Sequence, residues 1–240
     1  MNLFLEWKKI KRTGFVPAFW GGGILAAAVP LLNMAFRSEL YLMREEPPLQ
    51  TLLEANWQMM AMLNVLLVVV GACLLYHTEY ADNAMQKMCS LPIREDSIFF
   101  GKTILTFFMS VLVLSMEAGA IAFCSCHWFK IGIDFYWGLC KNFGYMLLLM
   151  LPCILLSLLI SEACQNMWIS LGIGVLCIFT ATLLPTDSFF LSLFPFAAPF
   201  QTLTGTDTAA ATHFLCAMVI ELGILILTQL LFTKRRRAFA

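Results

Sequence analysis

Apolar residues fall in six nearly continuous runs, at about 14–36, 55–77, 101–125, 139–161, 167–185 and 212–233, each about the length a helix needs to cross a bilayer. A membrane-spanning β-barrel would instead show alternating segments of about ten residues. Within lipid every backbone N–H and C=O must bond internally, so runs of this length predict helices. The pattern therefore specifies an all-α integral membrane protein with six transmembrane helices.

The polar stretches predict the remaining elements. In MNLFLEWKKIKR, ahead of the first run, Leu3, Phe4, Trp7 and Ile10 share one helical face, and Lys8, Lys9, Lys11 and Arg12 the other. This predicts an N-terminal amphipathic elbow helix lying in the membrane interface. A basic start followed by an apolar run and Ala26-Ala27-Ala28 also imitates a cleaved signal peptide, but the run continues to Phe36 and is long enough to span. The outer loop RSELYLMREEPPLQTLLEA has room for a short helix broken at Pro47-Pro48. The turn SEACQN is tight, and Glu162 within it reads as solvated or as a contact to a partner. The segment TDSFFLSLFPFAAPFQTLTGTD is apolar but interrupted by Pro195 and Pro199, which predicts a re-entrant or surface-lying element.

The stretch between the second and third runs, HTEYADNAMQKMCSLPIREDSIFFGK, is the most polar in the chain. Tyr80, Ala81, Ala84, Met85 and Met88 recur at helical spacing, opposite Glu79, Asp82, Asn83, Gln86 and Lys87. Leu91-Pro92 ends the helix, because the residue before proline avoids the α region. Its apolar face has two possible covers, the lipid surface or a groove on a soluble partner. A polar face poor in basic residues favours the partner.

Composition sharpens the class. The chain is 60% hydrophobic and 12% charged, against about 45–50% and about 25% for soluble domains. A formal net charge of +0 gives no bulk attraction to nucleic acid. The placement of the cations sets the orientation, since Lys and Arg collect on the cytoplasmic side. With the N-terminus inside, Lys8, Lys9, Lys11, Arg12, Lys87, Arg94, Lys102, Lys234, Arg235, Arg236 and Arg237 are cytoplasmic, and Arg37, Arg44, Lys130 and Lys141 are outside. Both termini are then cytoplasmic in a multi-pass protein of the cell membrane.

Candidate chemistry is sparse. Glu117 lies in the third run and Glu221 in the sixth, where a charge costs about 2.5–3.5 kcal/mol. Each must face the bundle, a polar cavity or a partner, or carry a proton. A functional role, as a lining for a cationic peptide's path or a gating contact, and a structural hydrogen bond to Ser, Thr or Asn on a neighbouring helix are equally good readings. Gly101-Lys102-Thr103 imitates the end of a phosphate-binding loop, but Asp96 stands where that pattern needs glycine. Cys124, Cys126, His127 and Cys140 lack the usual spacing of a metal site, although a disulfide among these cysteines is open. Gly172 and Gly174 read as packing glycines, and Gly21-Gly22-Gly23 as packing or flexible ones. No nucleophile, base and orienting group converge, so no enzyme site is expected.

The run EYADNAMQKMCSLPIREDSIFFGK resembles the signature of type 2 ABC exporter permeases. There an acidic residue opens a short coupling helix, a proline closes it, a basic residue follows, and a lysine begins the third span. Glu79, Pro92, Arg94 and Lys102 occupy those positions. The stretch SEACQNMWISLGIGVL, with Asn166, Ile169, Ser170, Gly172, Ile173 and Gly174, resembles the corresponding turn of lantibiotic-immunity permeases, as does LFPFAAP. Gln165-Asn166 reverses the order common in that branch.

The resemblance implies that residues 1–240 form one permease domain of an ABC exporter, with a cytoplasmic coupling helix and no ATPase site or cofactor of its own. ATP and Mg would be bound by a separate ATP-binding subunit, docked on Glu79, Tyr80, Ala84, Met85, Met88, Leu91, Pro92 and Arg94. The other partners implied are a second permease chain, identical or a sister, membrane lipid and a hydrophobic peptide cargo. The function implied is bacterial immunity or resistance by expulsion of a lantibiotic-like peptide. A membrane scaffold or sensor that docks a signalling protein through the same loop is the alternative.

Overall fold

The computed structural model describes residue 10 and residues 13–44, 46–80, 95–129, 132–164, 166–183, 193–204 and 208–239. Six helices carry the apolar runs: α1 (Phe15–Leu42), α2 (Pro48–Tyr80), α3 (Glu95–Trp128), α4 (Ile133–Ala163), α5 (Met167–Leu183) and α6 (Thr208–Phe239). No strand occurs among the described residues. Five of these helices are long and apolar enough to cross a membrane. The exception is α5, whose 17 residues cover roughly 26 Å at about 1.5 Å per residue, just short of about 30 Å.

Burial ranks the helices. In α4 and α2, 67% and 61% of the most apolar window is buried, against 28% in α1 and 33% in α6. The first pair therefore forms the centre. α1 packs on α2 and α3, α5 on α2 and α4, and α6 chiefly on α4. Hydroxyls on the spans donate back to their own helix: Thr106 to the Lys102 carbonyl, Ser110 to Thr106 and Ser125 to Ile121, at 2.8–3.0 Å. This is how polar side chains are accommodated without water.

Glycines set the closest helix contacts. A Cβ at Gly22 would strike the Leu67 side chain, and one at Gly174 the Val69 side chain. At Gly71 it would come within 2.6 Å of the Phe19 ring. Gly21 and Gly172 have open space instead, so the packing role belongs to Gly22, Gly23 and Gly174.

Helix ends depart from the expected boundaries where chain chemistry, not hydropathy, sets them. α1 continues beyond Phe36 to Leu42 through a kink at Arg37 (φ −134°, ψ 25°). α1 ends at Leu42 and α2 starts at Pro48, so the connection between them is shorter than the sequence suggests. Proline suits a first helical position because its missing N–H has no partner there anyway. At the N-terminal side, Thr13 N–H and its hydroxyl both donate to the Ile10 carbonyl, at 3.0 and 2.9 Å. Gly14 then adopts the left-handed conformation at φ 77° and α1 begins. Ile10 is buried against the core, while the rest of the predicted elbow lies outside the described residues.

Of the proline-broken segment, residues 193–204 are described and none of them is exposed, the cover that irregular backbone at membrane depth requires. A turn at residues 195–197 leads into a 3-10 turn, Ala198–Phe200, packed on α2 and α4. Phe196, Ala197 and Ala198 are buried. Asn142 tethers it: its Nδ2 donates to the Gly138 carbonyl at 2.9 Å, and its Oδ1 accepts Leu203 N–H at 3.0 Å. Replacing Asn142 by Leu withdraws that acceptor, at a cost of about 1 kcal/mol. Amide exchange measured peptide by peptide should speed up around Leu203 and stay unchanged in α2.

Candidate functional site

The predicted docking loop is bracketed by the end of α2 and the start of α3. The backbone at Glu79 and Tyr80 continues α2 as helix. Ala84, Met85, Met88, Leu91, Pro92 and Arg94 lie outside the described residues.

Both arms of this loop converge on one buried polar cluster. Tyr76 sits one turn before the end of α2, and Lys102 lies two turns into α3. Lys102 is 1% exposed, with its Nζ 3.4 Å from the centroid of the Tyr76 ring. The Tyr76 hydroxyl donates to Glu162 Oε2 on α4 at 3.2 Å. Gln229 Nε2 on α6 donates to the same oxygen at 3.0 Å. A cation above the ring draws on its negative face, and the same ring is polarised by the hydroxyl's bond to a carboxylate. The two contacts support each other.

The expectation for Glu162 is thereby corrected. It is buried at 6% exposure and bonded within its own chain, rather than solvated or reserved for a partner. As the penultimate residue of α4, it looks exposed in the sequence, yet the helical turn aims it at α2 and α6. Beside it, Ser161 Oγ and Ser170 Oγ lie 2.9 Å apart, and Cys73 Sγ lies 3.4 Å from Ser170 Oγ, joining α2, α4 and α5. Asn166 is exposed and accepts Trp168 N–H through Oδ1 at 2.9 Å, which caps the start of α5.

Deeper in the bundle, Glu117 is fully buried and its Oε2 accepts Asn64 Nδ2 from α2 at 2.9 Å. Its second oxygen has no hydrogen-bond partner among the described residues. The same holds for both oxygens of Glu221, which is 5% exposed, and for the Ser157 hydroxyl on α4. Glu117 thus has the structural hydrogen bond to a neighbouring helix that one reading of it required. Neither carboxylate is brought to the cluster around Glu162 by any described bond. The eight described cysteines are free. Cys126 Sγ lies 3.2 Å from the Tyr136 hydroxyl.

A family described as ABC-2 family transporter protein matches residues 3–181. The chain belongs to the ABC-2 transporter family. It is a membrane permease component of an ABC transporter, and family membership implies an ATP-binding partner subunit. Comparison with curated proteins and with solved structures returns no match.

The permease's matched region runs from the N-terminal stretch through most of α5, so the docking loop, Tyr76, Lys102 and Glu162 fall within it. Gln229 and Glu221, on α6, lie beyond it. Sequence reasoning does not bring Tyr76, Lys102, Glu162 and Gln229 together: it reads Lys102 as a cytoplasmic cation that begins the third span, and gives Gln229 no role. A signal was present for Lys102 and Gln229. A lysine at the start of an apolar run, and a glutamine inside a largely apolar span, both call for a polar partner.

Proposed function

We propose that the permease expels a lantibiotic-like or other membrane-active peptide from the bilayer, driven by ATP hydrolysis on a separate subunit. The observation that carries the cargo class is the turn into α5, SEACQNMWISLGIGVL, which resembles that of lantibiotic-immunity permeases. Residues 1–240 act as one permease domain with both termini in the cytoplasm, the side on which eleven of the cations named above collect. It pairs with a second permease chain, identical or a sister, and the ATP-binding subunits carry the ATP and Mg.

The ATP-binding subunit docks on the amphipathic stretch from Glu79 to Leu91, with Pro92 and Arg94 closing it. Tyr80, Ala84, Met85 and Met88 supply the apolar face. Closure of the ATP-binding subunits presses this face toward the membrane and tilts α2 and α3. Glu117 and Glu221 are buried against their own chain's helices, so they meet cargo only when such a tilt parts the bundle.

Co-expression of the permease with its ATP-binding subunit tests the docking. Met85→Glu combined with Met88→Glu places charge on the apolar face without entering a span. The double variant should insert normally and lose co-purification. Cells carrying it should also lose survival at lantibiotic concentrations that the wild-type pair tolerates. Intact co-purification would instead remove this loop as the principal dock. Docking without any gain in lantibiotic survival would overturn the lantibiotic cargo.

A further inference from the structure

Glu162 is the point at which four helices meet through polar contacts. Through Tyr76 it holds α2, and through the cation on that ring it holds α3. Through Gln229 it holds α6, while it belongs itself to α4. Its two neighbours on α2 and α3 are those nearest the docking loop: four residues separate Tyr76 from the end of α2, and seven separate Glu95 from Lys102. Those short helical stretches are about 6 and 11 Å long at about 1.5 Å per residue. Helices transmit displacement along their axes as stiff rods, so a push on the loop arrives at this cluster almost undiminished.

The cluster also resists sideways slippage. Lys102, Tyr76 and Glu162 are all buried, and a displaced buried charge or hydroxyl loses its partner with no water to replace it. The contacts must therefore either move as a unit or exchange for another complete set. Such all-or-none behaviour is what converts a small local push into a discrete rearrangement.

We propose that Glu162 is the positioning residue that couples the loop-bearing ends of α2 and α3 to α4 and α6, so that ATP-driven movement at the loop reaches the far end of the bundle. This rests on the reading that residues 81–94 dock the ATP-binding subunit.

The test uses the complete permease bound to its ATP-binding subunit in nanodiscs, where both membrane faces are open to reagent. Cys126 supplies the reporter. It is exposed and free at the end of α3 remote from the loop, about 36 Å along the helix from Lys102. Its labelling by a maleimide is followed by peptide mass spectrometry, with and without ATP plus vanadate. Tyr76→Phe keeps the ring beneath Lys102 and removes the hydroxyl that donates to Glu162. Gln229→Met cuts the link to α6.

In the wild type, ATP plus vanadate should change the labelling rate of Cys126. In both variants the ATP-binding subunit should still co-purify and that change should be lost. A contact that serves stability alone would lower the melting temperature and leave the ATP response in place, and that result overturns the proposal. So does a Tyr76→Phe chain that no longer folds or no longer binds the subunit, which assigns the contact to assembly. A wild-type complex with no ATP response also overturns the proposal, since no movement then reaches the far end of the bundle. Failure of the docking reading shows separately, as intact co-purification of the Met85→Glu plus Met88→Glu variant.

Discussion

Gly172→Ala and Gly174→Ala are expected to shift the stability of the permease in opposite directions. The two glycines lie two residues apart on α5 and read alike in the sequence. At Gly172 a Cβ meets nothing within 4 Å. The substitution there brings the helix propensity of alanine, about 1 kcal/mol better than glycine, and the melting temperature should hold or rise. At Gly174 the new Cβ runs into the Val69 side chain of α2. Valine is branched at Cβ and has few alternative rotamers, so it cannot swing aside. The helices must separate, at a cost of about 1–3 kcal/mol for overpacking.

A second substitution isolates the cause. Val69→Ala removes the methyls that Gly174→Ala would strike, so the double variant should melt closer to wild type than Gly174→Ala alone. Additive losses in that cycle would mean that the two side chains do not meet. Gly22 is the instructive contrast: its obstacle is the far end of Leu67, a flexible side chain that has rotamers to spare. Gly22→Ala should therefore cost less than Gly174→Ala.

Glu162→Ala should destabilise the permease by about 1–3 kcal/mol, because it withdraws one acceptor from two buried donors and hydrogen bonds inside membrane bundles are worth about 0.6–1.7 kcal/mol each. Gln229 and Tyr76 both lose the oxygen they donate to. Glu162→Gln keeps an acceptor oxygen at that place and should lie between alanine and wild type. Glu54 makes a suitable control: it too accepts a hydrogen bond, from Gln50 at 2.8 Å, but in an exposed position. Water replaces that bond when it is lost, so Glu54→Ala should change stability by less than about 0.5 kcal/mol. Thermal unfolding of the four chains in one detergent gives the order, and equal effects at positions 162 and 54 would refute the burial argument.

The six helices and the membrane class were legible in the sequence because lipid imposes one length and one composition on every span. The need for cover around Pro195 and Pro199 was legible for the same reason, since irregular backbone at membrane depth needs it, and Phe196 to Ala198 are buried. Helix ends were less so. α4 starts at Ile133 rather than near 139, and α2 at Pro48 rather than near 55. Helices run on past the hydrocarbon until a proline, a cap or a tight turn stops them, and hydropathy carries no trace of that.

What the sequence by itself determined is the solvent of each segment: which stretches lie in lipid, which remain polar, and, through the family motif, what class of machine they build. What only the tertiary structure decided is direction around each helix axis. Glu162 turns inward to Tyr76 and Gln229, Gly174 faces Val69 while Gly172 faces open space, and Glu117 finds Asn64 across the bundle. In water an amphipathic stripe announces the buried face of a helix. In a membrane both faces are apolar, so the stripe is erased, and which side is buried follows from how the helices pack.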